Sequence, residues 1–502
     1  MTTSISNEPA MSAQDSLAAA APEIAVAPQF SLDAHSEPMI ASRLIVLLLC
    51  LAIVLSALAF GTVHSWALAV FQIGAGLVVL LWMTDAWRTH ALRVSRNALQ
   101  WPLLGLIVLG VVQLLPLRDA AETGTSAALR TLSLDPYSTR FVLLQLLALF
   151  IYFAATLVFV NSSRRLRLLV HTIIIFGFLL TGLGLMQYFT TWQTIYWIRG
   201  VPSQAIPFGP FFNSHHFAGY MELTLALPLG LLMSGAVPRE RRLLYGFAVA
   251  MMGIALIMTG SRGGMISLVA EVFFVLVVSS LAPLRRQGGT EDAEEQKVRV
   301  RAVALRLALG SIVLAALFTS VLFFGGESAL NKLAGTVSAE DPSSNRLHFW
   351  RGTLDIIRDH PLLGVGLGAF GVAYTRYDTS NGIFRLEQAH NDYLQILADA
   401  GVAGAILGLI FVILLFYRGL PGTQSSDDFQ RGIAVGALAG CFAVLIHSFF
   451  DFTLHTTSNA LLFLVLAALA TVNVPVEQSA TTHRRSGRRQ RSRRRHKSDQ
   501  GM

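Results

Sequence analysis

Charge is scarce in this chain. Only 14% of its 502 residues are Asp, Glu, Lys or Arg, against about 25% in an ordinary globular domain, while 53% are hydrophobic and the mean hydropathy is +0.57. That balance excludes a soluble domain and predicts a protein that lives in a bilayer. Cysteine is scarcer still. Cys50 and Cys441 both fall inside apolar runs, so neither a disulfide framework nor a thiolate metal site follows. A broad basic surface is also lacking. The net charge of +8 is local, because the stretch from Arg484 to Lys497 holds eight Arg and one Lys with no acid. The remainder is slightly acidic, which argues against a nucleic-acid partner. There is no internal repeat, so an inverted-repeat transporter is not signalled. No basic region or cleavage-like site precedes the first apolar run, which argues against a secretory signal.

What the chain does have is a series of apolar segments of spanning length. They fall at roughly 44–60, 65–83, 99–116, 141–160, 168–189, 213–234, 243–259, 264–281, 306–324, 402–417, 432–449 and 457–473. The reading is an all-α polytopic membrane protein of about twelve transmembrane helices, with both termini on one side. Alternate connections carry Arg88, Arg93 and Arg96; Arg164, Arg165 and Arg167; Arg239, Arg241 and Arg242; Arg285, Arg286, Arg299, Arg301 and Arg306; and then Arg418. The excess of arginine on one side predicts that this side is cytoplasmic.

The expected organisation is a disordered leader over 1–42, rich in Ala, Ser, Pro and Glu, then helices over 43–324. A large periplasmic loop over 325–400, further helices over 401–474 and a basic cytoplasmic tail over 475–502 follow. The tail attracts anionic lipid at about 1 kcal/mol per basic residue near the surface, and no aromatic platform accompanies it to suggest RNA.

The stretch from Gly382 to Gly404 marks the return of the large loop to the membrane, with Glu387, His390 and Asp392 at the boundary. A titratable cluster at a membrane edge is a first place to look for chemistry. Another external segment, 190–212, is rich in aromatics and proline and carries Arg199. Gly260-Ser261-Arg262-Gly263-Gly264 is almost too short a loop between two spans.

Three stretches resemble the O-antigen ligase and polymerase family of bacterial envelope glycosyltransferases. They are Gly209 to Tyr220 (GPFFNSHHFAGY), Gly260 to Gly264 (GSRGG), and Pro361 to Gly368 together with Ala389 to Leu394 (AHNDYL). The resemblance implies a many-helix membrane fold of the glycosyltransferase C kind in the bacterial inner membrane, with a large periplasmic loop and an active site facing the periplasm. It implies an inverting, metal-independent enzyme without a cofactor. Its donor would be a polyprenyl-pyrophosphate-linked glycan and its acceptor a glycan or a lipid core, with other polysaccharide-assembly proteins as partners. Ligase, polymerase and protein-glycosylating relatives stay open.

The residues suit that chemistry. A departing lipid pyrophosphate needs a cation, and arginine pairs bidentately with phosphate oxygens. From spacing alone Arg262 reads more simply as a headgroup anchor; the resemblance points to the pyrophosphate. Arg346, four residues before Trp350, is the second candidate, and Arg199 a third with a belt-anchor alternative. His390 is the candidate base for the acceptor hydroxyl, Glu387 the residue that orients or assists it, and Asn391 or Asp392 the helix cap beside it. Tyr393 adjoins these residues. His215 and His216 diverge by about 100° on a helix and grip one metal ion poorly. With Asn213 as the cap of their span, they read as glycan or pyrophosphate contacts. The glycine run at 364–368 lacks the strand and lysine of a nucleotide loop and reads as a turn.

Two functional classes follow: a glycosyltransferase, or a transporter or flippase of lipid-linked glycans. A transporter is expected to carry charge near the midplane and to use broken helices. The apolar runs here are nearly clean, with Glu222 and Glu271 as the exceptions, which favours the enzyme.

Overall fold

The computed structural model describes residues 40–117, 131–190, 194–201, 206–284, 346–379 and 385–472. Eleven of the predicted apolar segments are helices there. In order they are α1 (Ile40–Leu58), α2 (Ser65–Thr89), α3 (Gln100–Gln113), α4 (Pro136–Phe159), α5 (Ser163–Thr190), α6 (Ser214–Ser234), α7 (Arg242–Met258) and α8 (Arg262–Leu284). Two non-spanning helices follow, α9 (Arg346–Asp359) and α10 (Phe370–Tyr374), and then α11 (Asp392–Gly419), α12 (Asp428–His447) and α13 (Thr457–Thr471). Nine helices among the described residues are long and apolar enough to cross a membrane, and α3 and α13 are shorter apolar helices. The segment expected at 306–324 lies outside the described residues, as do residues 1–39 of the leader, the tail and the first part of the large loop; residues 40–42, expected in the leader, open α1 instead.

Local chemistry sets the helix ends. Asp135 caps α4, accepting from Ser138 N and Ser138 Oγ, with Pro136 at the first helical position, where its missing N–H costs nothing. That starts α4 five residues before the apolar run expected at 141. α3 stops early at Gln113, whose amide donates to Leu363 O at 2.7 Å and Asp399 O at 2.9 Å and accepts from Leu367 N at 2.9 Å. A buried amide with all these partners ties the helix end to the turn at 361–368.

α6 is the core of the bundle. Every residue from His216 to Leu231 is buried. Its closest neighbour is α12, where Gly432, Gly436 and Gly440 recur every four residues along the contact. A Cβ on Gly230 would come within 2.6 Å of Gly436 Cα. Small residues let the two backbones approach, and close packing is the main attraction between helices in lipid.

The arginine-rich connections gather at one end of the bundle. There Arg165 reaches Ser42 Oγ at 2.6 Å, Arg431 reaches Ser234 O at 2.8 Å, and Asn97 reaches Thr471 Oγ1 at 2.8 Å. At the opposite end the segments around Thr62, His216, His390 and Asp451 meet, with Thr457 Oγ1 on Thr62 O at 3.0 Å and Asn459 Nδ2 on His216 O at 3.0 Å. Reporter fusions are therefore expected to place residue 390 outside and residues 239 and 418 inside. A cytoplasmic reading at 390 would sink the periplasmic orientation.

One expectation needs correction. The tenth span, expected over 402–417, starts ten residues earlier, at Asp392, and is broken at Gly401 (φ 63°, ψ −164°). Hydropathy detects only the apolar half after the break. The first half is capped by Asn391 Oδ1, which accepts from Tyr393 N and Leu394 N. Charge and a helix break thus do lie within a span, contrary to the clean-span argument. The freed backbone groups are satisfied inside the protein: Val402 N donates to Pro361 O, Ala403 N to Leu362 O, and Gly366 N to Asp399 O. The break docks the 361–368 turn, as expected for a turn rather than a nucleotide loop.

Candidate active site

The site is built around the α12–α13 connection, which reads HSFFDFTLH from His447 to His455. His447, Asp451 and His455 recur at four-residue intervals and each pairs with a group of opposite kind from another element. Asp451 faces His390, His455 faces Asp392, and His447 faces Glu222.

His390 Nδ1 lies 3.3 Å from Asp451 Oδ1. Burial by itself would raise the Asp451 carboxyl. The hydrogen bond to His390 and the charges of His215, His216 and His390 outweigh it and hold the group well below the usual carboxylate range. Asp451 is therefore held as a carboxylate and can only accept, so Nδ1 of His390 is the nitrogen that donates to it. His215 Nδ1 lies 4.0 Å from the other oxygen, Oδ2. Phe452 packs edge-on against both His216 and His390, at 4.9 Å between ring centres.

The backbone of His390 is left-handed (φ 52°), which costs a residue with a Cβ about 1–2 kcal/mol. It is held from both sides. Trp350 Nε1 of α9 donates to Ala389 O at 3.1 Å and Ala389 N donates to Gln395 Oε1 at 2.7 Å. Beyond it, Asn391 Nδ2 donates to Phe449 O at 3.1 Å and Asp392 N to Ser448 O at 2.9 Å. Four hydrogen bonds made by its neighbours thus hold the strained residue in place.

Asp392 is not the cap; Asn391 is. Its carboxylate instead accepts from Ser448 Oγ at 2.8 Å and meets His455 Nδ1 at 2.8 Å. Burial would lower the His455 imidazole, but the hydrogen bond and charge of Asp392 raise it overall. The third pair lies deeper. Glu222 Oε1 and His447 Nδ1 are 2.8 Å apart, and both side chains are fully buried. Glu271 of α8 is buried near Glu222 with neither carboxyl oxygen hydrogen-bonded among the described residues.

Arg262 opens α8 at the same end. Gly260 takes a left-handed φ of 70°, and a Cβ on Gly263 would sit 2.7 Å from His447 Cδ2, so the glycines of this turn let it bend and let His447 lie against it. Arg346 is the first residue of α9. Arg199 lies on a two-residue hairpin strand with its guanidinium 4.9 Å from the Phe60 ring centre and 5.2 Å from that of Phe212. Burial and the Arg199 charge lower the neighbouring His64 imidazole.

Two expected site residues make other contacts, and Asn213 takes the cap position expected of it. Glu387 pairs with Arg385 at 3.0 Å, and the carboxylate on His390 is Asp451. The Tyr393 hydroxyl donates to Leu445 O at 2.7 Å, with its ring on Phe449. Asn213 caps α6, accepting from His215 N at 2.9 Å. The four-residue spacing of 447, 451 and 455 was the available signal for what was missed, but their partners are remote in sequence. Among the described residues no group of three or more His, Cys, Asp or Glu is arranged to hold a metal ion.

The family model described as O-antigen ligase matches residues 247–409. That stretch of the chain is similar to the O-antigen ligase family. The resemblance read from the sequence is thereby shown over that stretch, and the apolar helices support a multi-pass membrane protein. The ligase match contains Arg262, Arg346, Glu387, His390 and Tyr393. It stops short of Arg199, Asn213, His215 and His216 on one side and of Asp451 on the other. No curated protein matches the chain.

Proposed function

We propose that the protein transfers or polymerises a polyprenyl-pyrophosphate-linked glycan on the periplasmic face of the inner membrane, with inversion at the anomeric carbon and without a metal. The observation that carries this reading is the pinned, left-handed His390 on the Asp451 carboxylate, within the stretch that matches the ligase family. His390 Nε2 takes the proton of an acceptor hydroxyl as its oxygen attacks the anomeric carbon. The bond from that carbon to the pyrophosphate oxygen breaks, and the leaving lipid pyrophosphate departs with the electron pair. Asp451 holds the ring and stabilises the imidazolium that forms. Arg262, at a helix N-terminus where backbone N–H groups also favour an anion, balances the charge of the leaving group. Arg199 and Arg346 are further donor contacts, and His215 and His216 line the approach to Asp451.

A transporter or flippase is the other reading, and the break at Gly401 beside Asp399 is the feature that favours it. The freed backbone groups at the break are taken up by the 361–368 turn, however, as in a packing contact. Deletion of the gene followed by glycan analysis separates the possibilities. Single-repeat products are expected for a lost polymerase, and full-length polymer retained on the lipid carrier for a lost ligase. Lipid-linked glycan held on the cytoplasmic face would overturn the enzyme in favour of the flippase.

A further inference from the structure

Glu222 on α6, His447 at the end of α12 and Ser261 just before α8 form a continuous hydrogen-bonded line. His447 Nδ1 is 2.8 Å from Glu222 Oε1 and His447 Nε2 is 3.3 Å from Ser261 Oγ. Carboxylate, imidazole and hydroxyl in that order have the arrangement of a nucleophilic triad. Two observations exclude that use. All three residues are 0% exposed, so no substrate reaches the hydroxyl. Ser261 Oγ also accepts the N–H of Gly264 at 3.1 Å, so one of its lone pairs serves as the cap of α8.

The proton placement is consistent along the line. A Glu222 carboxylate accepts from Nδ1–H, Nε2 then accepts from the Ser261 O–H, and the serine oxygen accepts from the Gly264 backbone. The Ser261 backbone is fixed as well, since its N–H donates to Thr259 Oγ1 at 3.2 Å. The result is a turn whose conformation is tied through one imidazole to the most buried helix of the bundle. The next residue is Arg262.

We propose that Glu222, His447 and Ser261 are positioning residues that hold the 260–264 turn in the one conformation that presents Arg262 to the pyrophosphate. This rests on the donor-binding role of Arg262 proposed above. The line also accounts for a carboxylate and an imidazole inside spans, where an ionisable group is retained only for a function that needs it.

The test is binding of undecaprenyl pyrophosphate, which needs no glycan, to the full chain in lipid nanodiscs. Ser261→Ala and Glu222→Leu are expected to weaken binding about tenfold, whereas Glu222→Gln, which keeps an acceptor of the same shape, stays within about threefold. A line that acts only through Arg262 predicts non-additivity, so Ser261→Ala combined with Arg262→Lys binds no more weakly than Arg262→Lys alone. A purely structural role would lower folded yield in every variant and show neither the glutamine rescue nor the non-additivity. Wild-type binding by Ser261→Ala, or full addition of the two losses, overturns the proposal while Arg262→Lys remains impaired. Wild-type binding by Arg262→Lys would instead remove the donor role of Arg262 itself. If Ser261→Ala is recovered unfolded, Ser261→Cys takes its place in the same comparison, with an expected loss of about threefold from its weaker hydrogen bond.

Discussion

Replacing His390 by alanine is expected to slow glycan transfer about 10²–10⁴-fold, the usual worth of a positioned general base, while donor binding stays within about threefold. The imidazole lies on the Asp451 carboxylate, so if it is the proposed base its loss is felt in the chemical step. Asp451→Asn is expected to cost about ten- to hundredfold, the range for a partner that orients a working histidine, because an amide no longer dictates which ring nitrogen carries the hydrogen. Combined with His390→Ala, the Asp451 change should add almost nothing, since the carboxylate then has no ring to orient. The measurement is transfer of purified lipid-linked glycan in liposomes, with and without chelator. Wild-type activity is expected to persist in chelator. A His390→Ala protein at the full rate would remove the base from the mechanism, and activity lost in chelator and restored by a divalent ion would reopen His215 and His216 as ligands.

Arg262→Lys is the second large effect. Charge is kept, yet kcat/KM for the lipid-linked donor is expected to fall about 10²-fold, comparable to the loss of one preorganised donor to a developing anion. The physical reason is geometry. A guanidinium offers a planar fork to two phosphate oxygens, and an ammonium on a flexible stem is a point charge. The turn carrying Arg262 is held by the Ser261 cap and packed against His447, so a shorter reach cannot be recovered by moving the backbone. Equal activity at normal abundance would show that this arginine serves as a headgroup anchor and not as a clamp.

The sequence alone was enough to decide the class of the molecule and most of its helices. Runs such as 44–60 and 432–449 are apolar over a full bilayer thickness, and burial of backbone polar groups in lipid leaves a helix as their form. It was also enough to mark His390 and Arg262, because each interrupts an apolar pattern at a membrane edge within a motif of the ligase family. It misjudged the start of α11, since Asp392 and Asp399 depress hydropathy over a stretch whose capping and hydrogen bonds still make it helical.

The partners of the marked residues were decided only in three dimensions. Glu387, three positions away, was the nearer choice of carboxylate for His390, yet Asp451, 61 residues along the chain, is the one that meets it. Glu222 and His447 come from two helices and Ser261 from the turn before a third, and the three share one line of hydrogen bonds. Periodicity and composition report what each segment buries, one segment at a time. Which buried carboxylate faces which imidazole depends on how α6, α8, α11 and α12 pack, and that is set by close approaches such as Gly230 on Gly436 that no single segment encodes.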